Sequence, residues 1–342
     1  EISPNSSLPV SGNGTHQSPW VLWEITTAEK PPRPPAPTVI SLGDDPQGFF
    51  QASPPAPIDF SVILSNFKRV GADAAAISAV LAWDEPDPIA LAALEKSLAN
   101  FDSLIMAAPL ARGAVSSAMP PAIRRASLPI TTIRGNHFLL PKVNRIAISG
   151  IILGGETSTA GFSILESGND TSNEFFPLMA QWEDRVVFAF PLLVVLQQMH
   201  LSLNQIKVEL GKSIRLGPTG PAFKIDEFGR VAIPTNTPPP PQISAQSIID
   251  GDARLLQSPS SNFFILRDDQ SSVEPATREF SQNLFSVIAA VATNEAAETP
   301  SVYPRLSQFE ELGLLAMFVM LVTLFSSRIH WLRFGGCFLL VS

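Results

Sequence analysis

Between Thr38 and Ala108 three short apolar runs alternate with two amphipathic ones, joined by links too short for any connection except a crossover. TVISL (Thr38 to Leu42) is β-branched and apolar and stops at the turn cluster GDDP, the pattern of a strand buried on both faces. Ile58 to Val70 places Phe60, Val62, Ile63, Leu64 and Phe67 at helical spacing, with Lys68 and Arg69 in the last turn and Gly71 beyond it as a C-cap. Ala74 to Leu81 repeats the strand pattern up to WDEPDP. Asp87-Pro88 then starts a second helix with Ile89, Leu91, Leu94 and Leu98 as its apolar positions. Leu104 to Ala108 is a third strand, closed by Pro109 and Arg112-Gly113. This order predicts two consecutive βαβ units and therefore an α/β fold, with a parallel core sheet covered by helices on both faces.

After Ala118 the periodicity changes. Ala118 to Leu140 is irregular, broken by Pro120, Pro121 and Pro129. Arg145 to Leu153 and Gly161 to Glu166 read as strands, with the Gly-rich GGETSTAG between them as a hairpin loop. Val186 to Met199 is apolar but too short to cross a bilayer, and Pro191 suits a first helical turn, so a strand or loop running into a buried helix is expected. Ile206 to Leu216 and Ala222 to Ile233 alternate apolar and polar residues, the second with a turn at DEFG, which predicts an antiparallel extension. Past the stiff Pro238 to Pro241, Ile243 to Leu256 is helical in parts, Phe263 to Leu266 is a buried strand, and Thr277 to Ala292 is a helix.

The two ends are of another kind. Residues 1–37 are Ser/Asn/Gly-rich and then Pro-rich, an irregular lead-in with little to bury. Leu312 to Ser327 carries no charge and at 1.5 Å per residue spans roughly 24 Å, just short of a ~30 Å hydrocarbon core, so Arg328 would snorkel. Arg328, His330 and Arg333 crowd the next connector, while Glu310 and Glu311 flank the other side, so the bulk of the chain is expected outside the cytoplasm. A second apolar run, Phe334 to Val341, is cut at Ser342, and the chain opens on Glu1, which points to a larger multi-span protein. The competing picture is a buried terminal hairpin, against which stands the lack of any polar face over Met317 to Leu324.

Composition narrows the function. A net charge of -8 with no basic cluster outside that connector argues against nucleic acid, which needs a basic face to displace counterions. The lone cysteine, Cys337, lies in the truncated apolar run, so neither an intrachain disulfide nor a cysteine zinc site can form. Packing alone must hold the fold together.

From Thr38 onward the chain resembles the CHASE2 family, the extracytoplasmic sensor modules of bacterial membrane receptors. The likeness lies in the order of its parts: TVISLGDD, FSVILSNFKRVGA and AAAISAVL, then Gly161-Phe162 in AGFSILES, the Pro-initiated PLLVVLQQM, the turn of KIDEFGRVAIP with Asp226 and Gly229, then ISAQSIIDG and FFIL. Two motifs usual in the family are missing, an acidic-Gly-Arg where ESGNDTSNEFFP stands and a Pro-Gly/His-Ala where VEPATREFSQ stands. The resemblance implies a divergent sensory input domain over residues 38–300, with membrane helices at 312–327 and 334–342 leading to a cytoplasmic output such as a kinase or cyclase. It implies a bacterial inner-membrane location with the main domain periplasmic. Membrane lipid, a second copy in a homodimer and an unidentified small-molecule or protein stimulus are the expected partners.

Few residues carry chemistry. Asp44 and Asp45 after the first strand, and Trp83, Asp84 and Glu85 after the second, are expected to meet at the carboxyl edge of a parallel sheet, with Arg112 after the third strand. Such carboxylates could take a divalent cation, or a cationic ligand against Trp83, or simply cap the helices that follow. GGETSTAG lacks the Lys-Ser/Thr ending of a phosphate loop, no Gly-x-Ser-x-Gly elbow occurs, and His16, His137, His200 and His330 are scattered. No catalytic group, resident metal or cofactor is therefore assigned. The alternatives to a sensor are a membrane-anchored metal-dependent hydrolase using Asp44, Asp45 and Asp84, and a non-signalling envelope scaffold.

Overall fold

The computed structural model describes residues 10–11, 21–22, 38–45, 48–50, 55–166, 175–218, 220–233, 242–249, 263–293 and 317. The chain divides into two units, Glu1–Ala297 and Glu298–Ser342. All elements below belong to the first; in the second only Met317 is described, in helical conformation. The expected spans at 312–327, apart from that residue, and 334–342 lie outside the described residues. Among the described residues no helix is long and apolar enough to cross a membrane.

Within the expected lead-in, β1 (Val10–Ser11) and β2 (Val21–Leu22) form a short antiparallel ladder. The alternating run then appears as β3 (Thr38–Ser41), α1 (Pro57–Arg69), β4 (Ala74–Ile77), α2 (Pro88–Ala99) and β5 (Ser103–Ala111). Local chemistry sets the helix ends. Pro57 opens α1, the Asp59 carboxylate accepts from the Ala56 amide at 2.8 Å, and Gly71 leaves the helix at φ +88°. Asp87 caps α2 by accepting from the Ile89 amide at 3.2 Å. Pro109 does not close the third strand. It lies inside β5, where the register shifts between Ala108 and Leu110, a bulge that tolerates its missing N–H.

Next come α3 (Pro121–Arg125), β6 (Ser127–Pro129), β7 (Lys142–Val143), β8 (Arg145–Ile146) and β9 (Thr159–Glu166). The strand expected over Arg145 to Leu153 is thus two residues long. GGETSTAG is not a hairpin loop, because β8 and β9 each pair with β5, the first antiparallel and the second parallel. The chain continues through β10 (Phe175–Pro177), β11 (Met179–Trp182), β12 (Arg185–Phe188), α4 (Phe190–Gln198), β13 (Lys207–Glu209), β14 (Ser213–Arg215), β15 (Ala222–Lys224) and β16 (Arg230–Ala232). The last described elements of this unit are β17 (Gln242–Ser244), α5 (Ala245–Ile249), β18 (Phe263–Arg267) and α6 (Pro275–Thr293).

Among the described residues six strands run parallel in the order β17, β3, β18, β4, β5, β9. The two βαβ units are present, yet the first steps over a strand: β18 stands between β3 and β4, pairing Ile265 with Val39 on one side and Ala76 on the other. Every residue of β18 is buried, so both faces of the sheet centre are covered. On α1, Phe67 stacks on Phe264 of β18 at 5.2 Å between ring centroids. The same helix meets α2 through a 2.8 Å hydrogen bond between the Ser61 and Ser97 hydroxyls, and α5 through Asn66 Nδ2 donating to the Ile248 carbonyl at 3.0 Å. A second helix group joins α4 to α6, with Phe280 against Phe190 at 6.3 Å and Phe176 at 5.9 Å. Gly161 lets α4 approach β9, since a Cβ there would lie 2.6 Å from the Phe190 amide nitrogen.

The antiparallel extension is present, among the described residues, as three small sheets. One has the order β6, β12, β11, β7, with only β7 parallel to its neighbour; β13, β14 and β15 form a meander; β10 pairs with β16. The DEFG turn is held by Asp226, whose carboxylate accepts from the Phe228 and Arg230 amides at 2.9 and 2.8 Å and from Arg230 Nε at 2.7 Å. Arg230 also lies over the rings of Phe228 and Phe175, at 4.8 and 5.2 Å.

Candidate functional site

Parallel strands deliver their following loops to one edge, and here the loops after β3, β17, β4 and β18 are bound together by side chains. After β3 come Gly43, Asp44 and Asp45; after β18 come Asp268, Asp269, Gln270 and Ser271. Gly43 turns the chain at φ +52° and presents its amide to Asp269 Oδ1 at 2.8 Å. Ser41 Oγ donates to both oxygens of Asp269, at 2.8 and 2.7 Å, and Arg267 closes the set with a direct ion pair. Arg267 donates further to Gln242 Oε1 of β17 at 3.1 Å. A charge pair this enclosed links the three neighbouring strands β17, β3 and β18 and is costly to break on one side only.

Asp44 accepts from the amide and hydroxyl of Ser271 through Oδ1, at 2.8 and 2.6 Å. Those two bonds hold its carboxyl below the usual carboxylate range. Asp45 accepts from the Phe50 amide at 2.6 Å and from Gln246 Nε2 at 3.4 Å, while Gln246 also donates to the Asp44 carbonyl at 3.1 Å. For Asp269, burial alone would raise the carboxyl, but the donors from Arg267, Ser41 and Gly43 outweigh it and hold the group below its ordinary value.

Asp268 differs. It is buried, with burial pushing its carboxyl up to about 6; the Gln270 amide opposes that rise and the neighbouring Asp269 charge adds to it. Its backbone amide donates to Ser78 Oγ at 3.2 Å, and Ser78 Oγ in turn donates to the Leu266 carbonyl at 3.2 Å, joining the β4 and β18 ends.

The residues expected to converge do so only in part. Asp44 and Asp45 belong to the network above. Trp83 turns instead to the start of α1, donating from Nε1 to the Pro55 carbonyl at 3.1 Å and meeting Phe60 edge-on at 5.8 Å. Asp84, Glu85 and Arg112 are exposed. With β18 inserted, β3 and β4 stand two strand spacings apart, about 10 Å, so their loops do not leave the sheet side by side. Among the described residues no group of three His, Cys, Asp or Glu is placed to hold a metal ion. Asp268, Asp269, Gln270 and Ser271 are the residues that sequence reasoning passes over. An acidic pair soon after the apolar run FFIL is the same signal that singles out Asp44 and Asp45 after TVISL.

No family model, curated protein or solved structure matches this chain.

Proposed function

We propose that this chain is the extracytoplasmic sensory part of a bacterial membrane receptor of the CHASE2 type. Support comes from the sequence resemblance and from one structural observation. The turn from β18 into α6 is bonded to the loops after β3 and β4, through Asp44 with Ser271 and through Ser78 with Asp268. A stimulus that favours one arrangement of this edge thereby biases the base of α6, the helix from which the chain runs on toward Leu312. Signal is carried by differential affinity for two positions of that helix; the small-molecule or protein stimulus acts at the edge, and the output lies across the membrane. In this reading 312–327 spans the lipid bilayer and the receptor works as a homodimer.

The test is topological. In intact cells stripped of their outer layer, added protease is expected to degrade the part of the chain ahead of Leu312 and to leave a membrane-retained remnant. Full protection of that part, or recovery of the chain in the soluble fraction after lysis, would overturn the receptor reading. Asp44→Ala in the full-length receptor, with output followed across candidate stimuli, checks the site: an unchanged response sets aside the edge as the point of entry.

A further inference from the structure

Two adjacent carboxylates at the end of β18 have opposite surroundings. Asp269 has donors from Ser41, Gly43 and Arg267. Asp268 is only 9% exposed, and among the described residues its carboxylate receives one hydrogen bond, from the Gln270 amide at 3.4 Å, beyond the usual N–H···O range. Gln270 is 3% exposed and its Nε2 has no partner among the described residues. A buried acid with one weak donor therefore shares a turn with a buried amide that has an unused one. A buried amide donor without a partner is expensive to keep out of water, and so is a carboxylate charge nine-tenths enclosed.

We propose that Asp268 is a proton-operated latch on the joint between β18 and α6: protonated, it lets the turn over Asp268 to Glu274 close on the sheet, and ionised, it draws that turn open toward water. The charged groups around it leave the ion uncompensated. On its own strand and turn, Asp269 adds a like charge and Arg267 is engaged with Asp269. The loop after β3 brings Asp44, itself held by Ser271; the β4 end brings the uncharged Ser78; the turn carries Glu274 and the first turns of α6 carry Arg278 and Glu279, of which Arg278 acts on Asp44. A carboxyl raised to about 6 favours the closed turn at low pH, and that preference is lost as pH rises through about 6. The latch operates whichever compartment the domain occupies, so its test is independent of the receptor reading.

The full chain is measured by hydrogen exchange at pH 5 and pH 7.5, corrected for intrinsic rates. Protection of the amides from Gln270 to Phe280 is expected to fall about tenfold or more at the higher pH relative to the rest of the sheet. Asp268→Asn is expected to abolish that pH dependence. Equal protection at both pH values in the unsubstituted protein, or the same fall in the Asn variant, overturns the latch. Carbon-13 titration of the Asp268 carboxyl in the unsubstituted chain needs no variant: a midpoint near 6 supports the latch, and one near 4 overturns it.

Discussion

Asp268 and Asp269 share a strand end, yet pH acts on them in opposite senses. A carboxyl raised from 3.8 to about 6 contributes its stabilisation below its unfolded value and loses it as pH climbs, a difference of about 3 kcal/mol at pH 7.5. Urea unfolding of Asp268→Asn and the unsubstituted chain should therefore coincide near pH 4 and diverge toward pH 7.5, where the Asn variant is more stable by up to about 3 kcal/mol. Asp44 and Asp269 are held below the ordinary range, so their stabilisation is present above about 3.8 and is lost as pH falls through their lowered values. Replacing Asp269 by Ala takes the ion-pair partner from a guanidinium whose side chain is 10% exposed. That change is expected to cost about 3 to 5 kcal/mol by the same measurement, because it removes one side of a largely enclosed ion pair.

Among the elements, the two helix groups are held by different means. α1 and α2 close through small hydroxyls, Ser61 to Ser97, whereas α4 and α6 close through rings around Phe280. Phe280→Ala removes a ring that meets both Phe176 and Phe190 and should cost about 3 to 5 kcal/mol in chemical denaturation. At the β9 contact the constraint is backbone against backbone. A methyl group at Gly161 would lie 2.6 and 2.7 Å from the Phe190 nitrogen and Cα, atoms that no rotamer change can move aside. Gly161→Ala should therefore destabilise by about 2 to 3 kcal/mol and lower the melting temperature by several degrees in a thermal scan.

For the whole molecule the decisive placement is that of β18. A strand far along the chain enters between β3 and β4, pairing Phe263 with Ala74 and Phe264 with Thr38, and it fills the centre of the parallel sheet. A chain ending before Phe263 is thus expected to show no cooperative unfolding transition, since β3 and β4 would face one another across an absent strand; a sharp two-state melt of that truncation would contradict this topology. Local signals in the sequence are enough for the elements of the two βαβ units and for β18, though not for the middle of the chain, where β8 is two residues long and α3 and β6 fall in a stretch without periodicity. Apolar runs, Asp87-Pro88 and the Gly71 stop place β3, α1, β4, α2 and β5, and FFIL marks β18 as a buried strand. They also place Asp44 and Asp45 at a strand end. What they cannot supply is adjacency, because a fully apolar strand carries no record of its neighbours and its pairing energy comes from residues far along the chain. Only the tertiary structure sets β18 between β3 and β4, turns Trp83 to the start of α1, and buries Asp268 beside a carboxylate that keeps its charge. Strand identity follows from local side-chain pattern, whereas neighbours, and with them the electrostatics of the edge, follow from long-range packing.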